Sequence, residues 1–168
     1  MGNVYSGYSA EKLNSTQDEI LHSVSASFKS KQNKNVIFSR KKVYLSENSN
    51  SYLHVIECTS DYGLANKKPL VITHGYGLGG VTFAGNMASL ALSLHRRILA
   101  VDWLGLASSS RPGFSGEDKE ASLTFFLEAF EIFRQKELGL NTKFDYVGHG
   151  LGAYRTQVYK IGREKYTT

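Results

Sequence analysis

Between residues 69 and 159 the chain alternates short apolar runs with longer stretches in which apolar residues recur every three or four positions. A short apolar run bounded by Pro or Gly predicts a strand buried on both faces, whereas the longer spacing predicts an amphipathic helix. The alternation of strand and helix predicts an α/β fold, doubly wound around a parallel sheet. The predicted strands are Pro69–Thr73, Ile98–Val101 and Phe144–Val147, and the predicted helices are Asn86–His95, Glu117–Leu138 and Leu151–Tyr159.

The region before residue 69 has a different pattern. Runs at Val36–Phe38, Val43–Leu45 and Tyr52–Thr59 are rich in β-branched and aromatic residues, which predicts an antiparallel strand pair ahead of the mostly parallel sheet. Weak helical spacing over Asp18–Phe28 predicts a surface helix or a partly disordered lead-in. We therefore divide the chain into a polar lead-in (1–33), an α/β domain (34–160) and a basic tail (161–168).

Composition narrows the possible environments of the protein. No apolar run approaches the roughly 20 residues that a membrane-spanning helix needs, and Cys58 is the single cysteine of the 168 residues. No intramolecular disulfide and no thiolate metal cluster is therefore expected, and the predicted location is cytoplasmic. No motif predicts a metal or another cofactor.

The net charge of +5 is concentrated in a basic stretch from residue 29 to 42. One interpretation is a solvated surface, and the other is attraction to the anionic lipids of a membrane leaflet. Nucleic acid is not expected as a partner, because the stretch lacks aromatic stacking residues and any recognition motif. The cations of the basic stretch are Lys29, Lys31, Lys34, Arg40, Lys41 and Lys42.

The first six residues fit the pattern for N-myristoylation. Met1-Gly2 is followed by Ser at position 6, so Gly2 is a lipidation candidate. A single myristoyl chain binds membranes only marginally and needs a second signal. The basic stretch is the candidate second signal, which predicts peripheral membrane association.

The strand at 69–73 runs into the glycine loop His74-Gly75-Tyr76-Gly77, with a further glycine at position 80. Glycines at 75, 77 and 80 satisfy the spacing of a dinucleotide-binding turn, and Asp102 closes the next strand. The alternative is an oxyanion-hole loop, in which a backbone N–H stabilises the negative oxygen of a tetrahedral intermediate. The Tyr76 N–H is the candidate donor. The strand pair that precedes the loop in the sequence favours the oxyanion-hole interpretation.

The strand at 144–147 ends in Gly148-His149-Gly150-Leu151-Gly152, immediately before a helix. A nucleophile elbow has the pattern G-x-S-x-G at such a strand-to-helix turn, and its second oxyanion donor is the N–H after the nucleophile, here Leu151. The elbow glycines Gly148 and Gly152 fit. Gly150 occupies the nucleophile position and offers no hydroxyl, thiol or carboxylate for covalent catalysis.

The glycine loop and the elbow are joined by a third motif, Asp102-Trp103-Leu104-Gly105 through Ser109-Ser110-Arg111-Pro112. The three motifs stand in the order found in the α/β-hydrolases, which the chain resembles from Val36 to Tyr159. The Ser-Ser-Arg-Pro segment is most similar to the lipid-acting branch, which includes N-acyl phospholipid lipases and a lipid-droplet lipase co-activator linked to lysophosphatidic acid acylation. That co-activator also lacks an elbow serine and carries Asn there. The resemblance implies the N-terminal part of this fold and a role linked to lipids.

The chain departs from the family pattern in several places. Ala107 replaces a usual second glycine of the Asp loop, and Gly150 replaces the elbow serine. The acid, the histidine and the His-x4-Asp acyltransferase motif of the family's C-terminal part are missing. We expect a catalytically inactive relative, a pseudoenzyme in lipid metabolism whose partners are membrane lipid or a lipid-metabolising protein.

Two alternatives remain open: an N-terminal fragment of an active ester hydrolase or acyltransferase, and a dinucleotide-binding domain. The last strand, 144–147, is expected to lie at an exposed sheet edge. Such an edge is a template for pairing between chains, so self-association is a further expectation.

Overall fold

The fold is α/β, as the alternating pattern predicts, with helices on both faces of a mixed five-stranded sheet. The computed structural model describes residues 9–33, 35–47, 49–61, 67–114 and 118–166. The strands are β1 (Val36–Tyr44), β2 (Tyr52–Ser60), β3 (Leu70–Thr73), β4 (Ile98–Val101) and β5 (Asp145–Gly148), and the α-helices are α1 (Ala10–Gln32), α2 (Ala84–Leu94), α3 (Lys119–Phe133) and α4 (Leu151–Tyr166).

The sheet order is β1-β2-β4-β3-β5. Strand β2 runs antiparallel to both of its neighbours, whereas β3 runs parallel to β4 and to β5. All strands except β2 therefore point the same way, which confirms a mostly parallel sheet that begins with an antiparallel pair. Because the parallel strands end at one edge, the loops after β3, β4 and β5 lie together there.

Strand β1 is longer than either apolar run suggests, because the polar residues between them also pair with β2. Arg40 reaches back to Asp18 of α1 at 2.6 Å, and Lys41 contacts Glu57 of β2 at 2.8 Å. These long side chains find partners on other elements, so the strand continues where hydrophobicity alone indicates a break.

Helix α1 is longer than the weak spacing over 18–28 predicts. Its first turn is capped by the Ser9 side chain, which accepts the Lys12 N–H, and Asn33 ends it in the left-handed region at φ 50°. Leu21 is buried, and Val24 and Phe28 pack against the core. The described part of the polar lead-in therefore packs on the sheet. The boundary between the lead-in and the α/β domain at residue 33 stays a prediction.

Two apolar layers enclose the sheet. One lies between the sheet and helices α1 and α2, and the other lies between the sheet and α3. Alternate residues of β2 divide between the layers, as strand geometry requires: Ile56 and Cys58 face the first layer, and Leu53 and Val55 face the second.

Helix α3 begins at the cap residue Asp118, whose carboxylate accepts the Ala121 N–H at 2.7 Å. A π-helical turn, Arg134–Leu138, follows its end, and Gly139 at φ 94° stops the chain from continuing as a helix. The guanidinium of Arg134 donates to the Gly139 and Leu140 carbonyls, at 3.1 and 2.9 Å. The stretch predicted as one helix therefore ends in a different helical geometry.

Three sequence predictions concern parts of the chain with no described structure. Gly2 lies outside the described residues, as do Lys34 and the last two residues of the tail, 167–168. Within the described ranges no helix is both long enough and apolar enough to cross a bilayer. Strand β5 lies at an edge of the described sheet, as expected, and Val147 on it is 50% exposed; self-association along it stays a prediction.

Four charged side chains form a cluster that joins β1, β2, β4 and the π-helical turn. Arg97 Nε lies 2.6 Å from Glu57 Oε1, Arg97 Nη2 lies 2.6 Å from Glu137, and Lys41 bonds to both carboxylates. Burial alone would raise the pKa of Glu57, but the hydrogen bonds and charges of Arg97 and Lys41 outweigh burial and lower it. The cluster thus holds Glu57 ionised.

We expect Glu57→Gln to lower the free energy of unfolding by about 1–3 kcal/mol at neutral pH, because a charge-assisted hydrogen bond to each cation is lost. Since the pKa of Glu57 is depressed from 4.5 in the fold, its contribution is complete above that value and is lost as the pH falls through the folded value. The wild type should therefore lose more stability in acid than the variant. Urea unfolding at neutral and acid pH measures this difference in stability. The control is Glu47→Gln, at an exposed position. Equal acid sensitivity of Glu57→Gln and the wild type would contradict the prediction.

Candidate functional site

The glycine loop after β3 is fixed by His74, which is fully buried. Its Nε2 accepts the Trp103 N–H at 3.1 Å, and its Nδ1 donates to the Gly75 carbonyl at 2.8 Å. Because a backbone N–H can only donate, Nε2 carries no proton and the ring is neutral. Burial lowers the pKa of His74 and outweighs the attraction of Asp102. His74 therefore acts as a structural clamp between the ends of β3 and β4.

Asp102, the residue after β4, is a completely buried carboxylate. Its Oδ1 accepts the Gly80 N–H at 2.6 Å, and its Oδ2 accepts the Ser108 N–H at 3.2 Å and lies 2.9 Å from His54 Nδ1. His74 Nε2 is 3.8 Å from Oδ1. A buried carboxylate with several donors is stabilised by them, so Asp102 joins β2, the glycine loop and the loop after β4.

The hydrogen bonds of Asp102 decide between two interpretations of the glycine loop. In a dinucleotide site, the acidic residue at the end of the second strand must be free to accept the ribose hydroxyl. Here both oxygens of that carboxylate already contact groups of the protein, namely Gly80, Ser108 and His54. The geometry therefore does not support the dinucleotide-binding alternative.

The turn between β5 and α4 is the predicted nucleophile elbow. His149 N–H donates to the Thr73 carbonyl at 2.9 Å, which ties the turn to the end of β3. A Cβ on Gly148 would lie 2.4 Å from the Ala153 nitrogen, and one on Gly152 would lie 2.7 Å from the Thr73 carbonyl oxygen. Both positions therefore require glycine for a steric reason, as their place in the motif predicts.

Position 150 differs from its two flanking glycines. Gly150 has φ +55°, and the nearest heavy atom to a Cβ built on it is Gly75 Cα at 3.6 Å, an ordinary van der Waals distance. There is space for a side chain, and only the backbone conformation disfavours one. The structure therefore brings the glycine loop and the elbow into contact at the point where a nucleophile would stand.

The two predicted oxyanion donors border this point. The N–H groups of Tyr76 and Leu151 donate to no other described residue, and the Tyr76 side chain is 82% exposed. Gly77 takes the left-handed conformation, φ +73°, that turns the loop after Tyr76. The oxyanion-hole assignment of Tyr76 and Leu151 stays a prediction.

Two histidines near the site do not complete a catalytic set. The ring of His149 packs edge-on against Phe83, with centroids 6.1 Å apart. His54 resembles half of a catalytic dyad, since its Nδ1 faces a carboxylate, but it is 4% exposed and its Nε2 has no hydrogen-bond partner among the described residues. Within the same ranges no group of three His, Cys, Asp or Glu side chains could hold a metal ion.

Ala107, noted in the sequence as a replacement for glycine, lies in the left-handed region at φ 44°. Its Cβ would lie 2.7 Å from a Cβ built on Gly79, so the loop after β4 packs tightly on the glycine loop. A non-glycine residue in this conformation costs roughly 1 kcal/mol. Glycine would adopt this conformation without that cost.

A family model described as the alpha/beta hydrolase fold matches residues 68–157, which is more than half of the chain and includes both loops and the elbow. The chain belongs to the α/β-hydrolase fold family. The sequence resemblance stated from the three motifs is thereby confirmed, as is the fold class.

Individual relatives place this α/β-hydrolase chain near lipid-acting proteins. It is 34% identical over 96 residues to a probable 1-acylglycerol-3-phosphate O-acyltransferase of Oryza sativa subsp. japonica, covering 57% of this chain and 22% of that protein. It is 36% identical over 100 residues to human 1-acylglycerol-3-phosphate O-acyltransferase ABHD5, covering 60% and 27%. The chain thus spans about a quarter of the length of these curated relatives.

Solved α/β-hydrolase structures agree in fold. An epoxide hydrolase of Vigna radiata, VrEH1, matches with a TM-score of 0.58 at 16% identity, over 76% of this chain and 37% of that one. The thioesterase domain of the curacin biosynthetic pathway matches with a TM-score of 0.57 at 19% identity, over 77% and 41%. At these identities the likeness concerns the fold alone.

Two residues of this region, His54 and Arg155, are not predicted by the sequence patterns above. His54 stands in the buried segment 53–56 of β2, whose other residues are apolar, and this one polar residue among them is the signal for it. Arg155 of α4 is buried against Trp103 and Phe126. Its sequence signal, a cation three residues after the last elbow glycine, is weak because surface helices often carry Arg.

We expect Asp102→Asn to lower the free energy of unfolding by about 2–4 kcal/mol, since an amide cannot accept from all three donors and leaves buried N–H groups unpaired. Chemical denaturation measures the change. The matched control is Asp145→Asn, where a half-exposed aspartate pairs with Arg96 and the expected loss is under about 1 kcal/mol. Equal effects of the two substitutions would show that Asp102 does not hold the site together.

Proposed function

We propose that this chain is a non-catalytic α/β-hydrolase-fold protein, related to lipid ester hydrolases and acyltransferases, that acts as a pseudoenzyme in lipid metabolism. The observation that carries the proposal is Gly150 at the centre of the elbow, at φ +55°. Covalent acyl transfer needs a nucleophilic side chain at this bend. Residues added at either end of the chain would leave position 150 unchanged.

The surrounding geometry supports loss of chemistry without loss of fold. Gly148 and Gly152 are required sterically, whereas position 150 has space for a side chain. A glycine at the bend removes strain of about 1–3 kcal/mol that a non-glycine nucleophile would carry. The elbow can therefore serve as a strand-to-helix joint in a protein that does not turn over an ester.

The lipid part of the proposal rests on the relatives. Both the rice protein and the human protein carry a name that describes acyl transfer to 1-acylglycerol-3-phosphate. We infer the same class of molecule, an acylated lipid, as the partner of this chain, or else a protein that acts on such lipids.

Membrane association through Gly2 and the basic stretch is a further part of the proposal. Fewer cations of the stretch are available to bind a membrane than the sequence suggests, because several have partners within the protein. Arg40 pairs with Asp18, Lys41 pairs with Glu57 and Glu137, and Lys42 lies 4.5 Å from the Tyr52 ring centroid. These cations are engaged within the protein. Lys29 and Lys31, in the last turn of α1, are exposed, and Lys42 is exposed as well.

We expect the purified chain to hydrolyse short-chain p-nitrophenyl esters roughly a millionfold more slowly than an active serine hydrolase does, because the nucleophile is missing. Gly150→Ala should show the same rate, since alanine also lacks a hydroxyl. Circular dichroism of both proteins is the control for folding. Saturable hydrolysis by the wild type that Gly150→Ala abolishes would overturn the proposal.

A second candidate function is that of the N-terminal part of a longer ester hydrolase or acyltransferase. The observation in its favour is that the chain spans about a quarter of its curated relatives. The intact mass of the protein purified from its source distinguishes the two: a mass near 18.7 kDa favours the pseudoenzyme, and a much larger mass favours the longer protein.

A further inference from the structure

Arg155 of α4 is a buried cation that has no anionic partner among the described residues. It is 5% exposed, and it forms no salt bridge with any described residue. Its Nη1 is buried and has no hydrogen-bond partner among those residues. The other buried or half-buried arginines of the described residues, at positions 40, 96, 97 and 134, each pair with a carboxylate.

Aromatic rings hold the Arg155 guanidinium in place. Its Cζ lies 3.4 Å from the centroid of the Phe126 ring and 4.7 Å from that of Trp103. Stacking of this kind satisfies the flat faces of a guanidinium and fixes its orientation, but it uses none of its five N–H donors. The edge of the group is therefore oriented and still able to bind an acceptor.

Arg155 stays charged at neutral pH. Burial lowers its pKa only to about 10. A buried charge that has lost its water and gained no partner is strongly unfavourable, and an anion that supplies hydrogen bonds removes this penalty. The chemistry that fits is an oxoanion, because the guanidinium fork matches phosphate and carboxylate oxygens.

Side chains next to Arg155 are exposed to solvent. Tyr154 beside it is 42% exposed, and Phe114, which packs on Phe126, is 53% exposed. Lys119 adds a second positive charge, with its Nζ 5.8 Å from the centroid of the Tyr154 ring. On the helix, Arg155 follows Leu151 by four residues and so lies on the same face.

We propose that Arg155 binds an oxoanion, a phosphate group carried by a small molecule or present as the free ion, at the edge of its guanidinium beside the Phe126 and Trp103 rings. The inference goes beyond the proposed function and does not depend on it, because it requires no reaction at position 150. Its basis is threefold: the guanidinium is oriented and has unused donors, no carboxylate among the described residues pairs with it, and a second cation, Lys119, lies over the ring of the adjacent Tyr154.

The test uses Trp103, the one tryptophan of the chain, whose ring is in contact with the guanidinium. The full-length chain is titrated with sodium phosphate at constant ionic strength set by sodium chloride, and the tryptophan emission is recorded. We expect a saturable change for the wild type, at least about tenfold weaker binding for Arg155→Met, and an intermediate loss for Arg155→Lys, which keeps the charge but not the fork. A parallel titration with glycerol 3-phosphate shows whether an ester or the free ion binds more tightly.

Two controls make the outcome decisive. Arg111→Met removes an arginine whose guanidinium bonds only to the Ser109 and Ala107 carbonyls among the described residues, and it should leave phosphate binding unchanged. Melting in chloride alone should show Arg155→Met to be at least as stable as the wild type, since a buried unpaired charge is removed. The absence of saturation in the wild type, or equal phosphate binding by the wild type and Arg155→Met, would overturn the proposal.

Discussion

The buried carboxylate of Asp102 is the constraint on which the geometry of the site depends. It accepts the backbone N–H groups of Gly80 and Ser108 and contacts the ring of His54, so one side chain fixes segments from three separate parts of the sequence. His74, held between the ends of β3 and β4, completes the arrangement. A carboxylate removed from water is tolerated only when donors surround it, and here those donors are the backbone of the loops that face the elbow. The glycine loop is therefore positioned by electrostatics within the fold, and not by a ligand.

Steric constraints at the predicted elbow differ between its flanking glycines and position 150. Gly148 and Gly152 are fixed by contacts with Ala153 and Thr73 that leave no space for a Cβ, so they are required for β5 and α4 to pack at all. Gly150 is required by nothing in its surroundings, because the nearest atom leaves space for a side chain. Loss of a nucleophile at this position removes chemistry and leaves the packing unchanged. The structural and the chemical requirements of the motif are thus carried by different residues.

The sequence predicts those features of the fold that depend on local pattern. The parallel strands, the antiparallel pair and the place of the elbow follow from short apolar runs and glycine spacing, which act within a few residues. Features that depend on distant partners are not predictable in this way. The continuity of β1 depends on Arg40 and Lys41 meeting Asp18 and Glu57, and the role of Asp102 becomes visible only when β2 and the glycine loop are brought together. Arg155 is missed for the same reason, since its burial results from packing between helices.

Covalent labelling with a fluorophosphonate is the most direct test of whether the folded elbow lacks a nucleophile. Such a probe forms a stable bond with an activated serine at an elbow and is detected as an added mass on the intact protein. We expect the folded chain to remain unlabelled under conditions in which an active serine hydrolase is labelled completely. A stoichiometric adduct on the folded wild-type chain, with no adduct when the chain is unfolded before the probe is added, would show that another residue serves as nucleophile and would contradict this expectation.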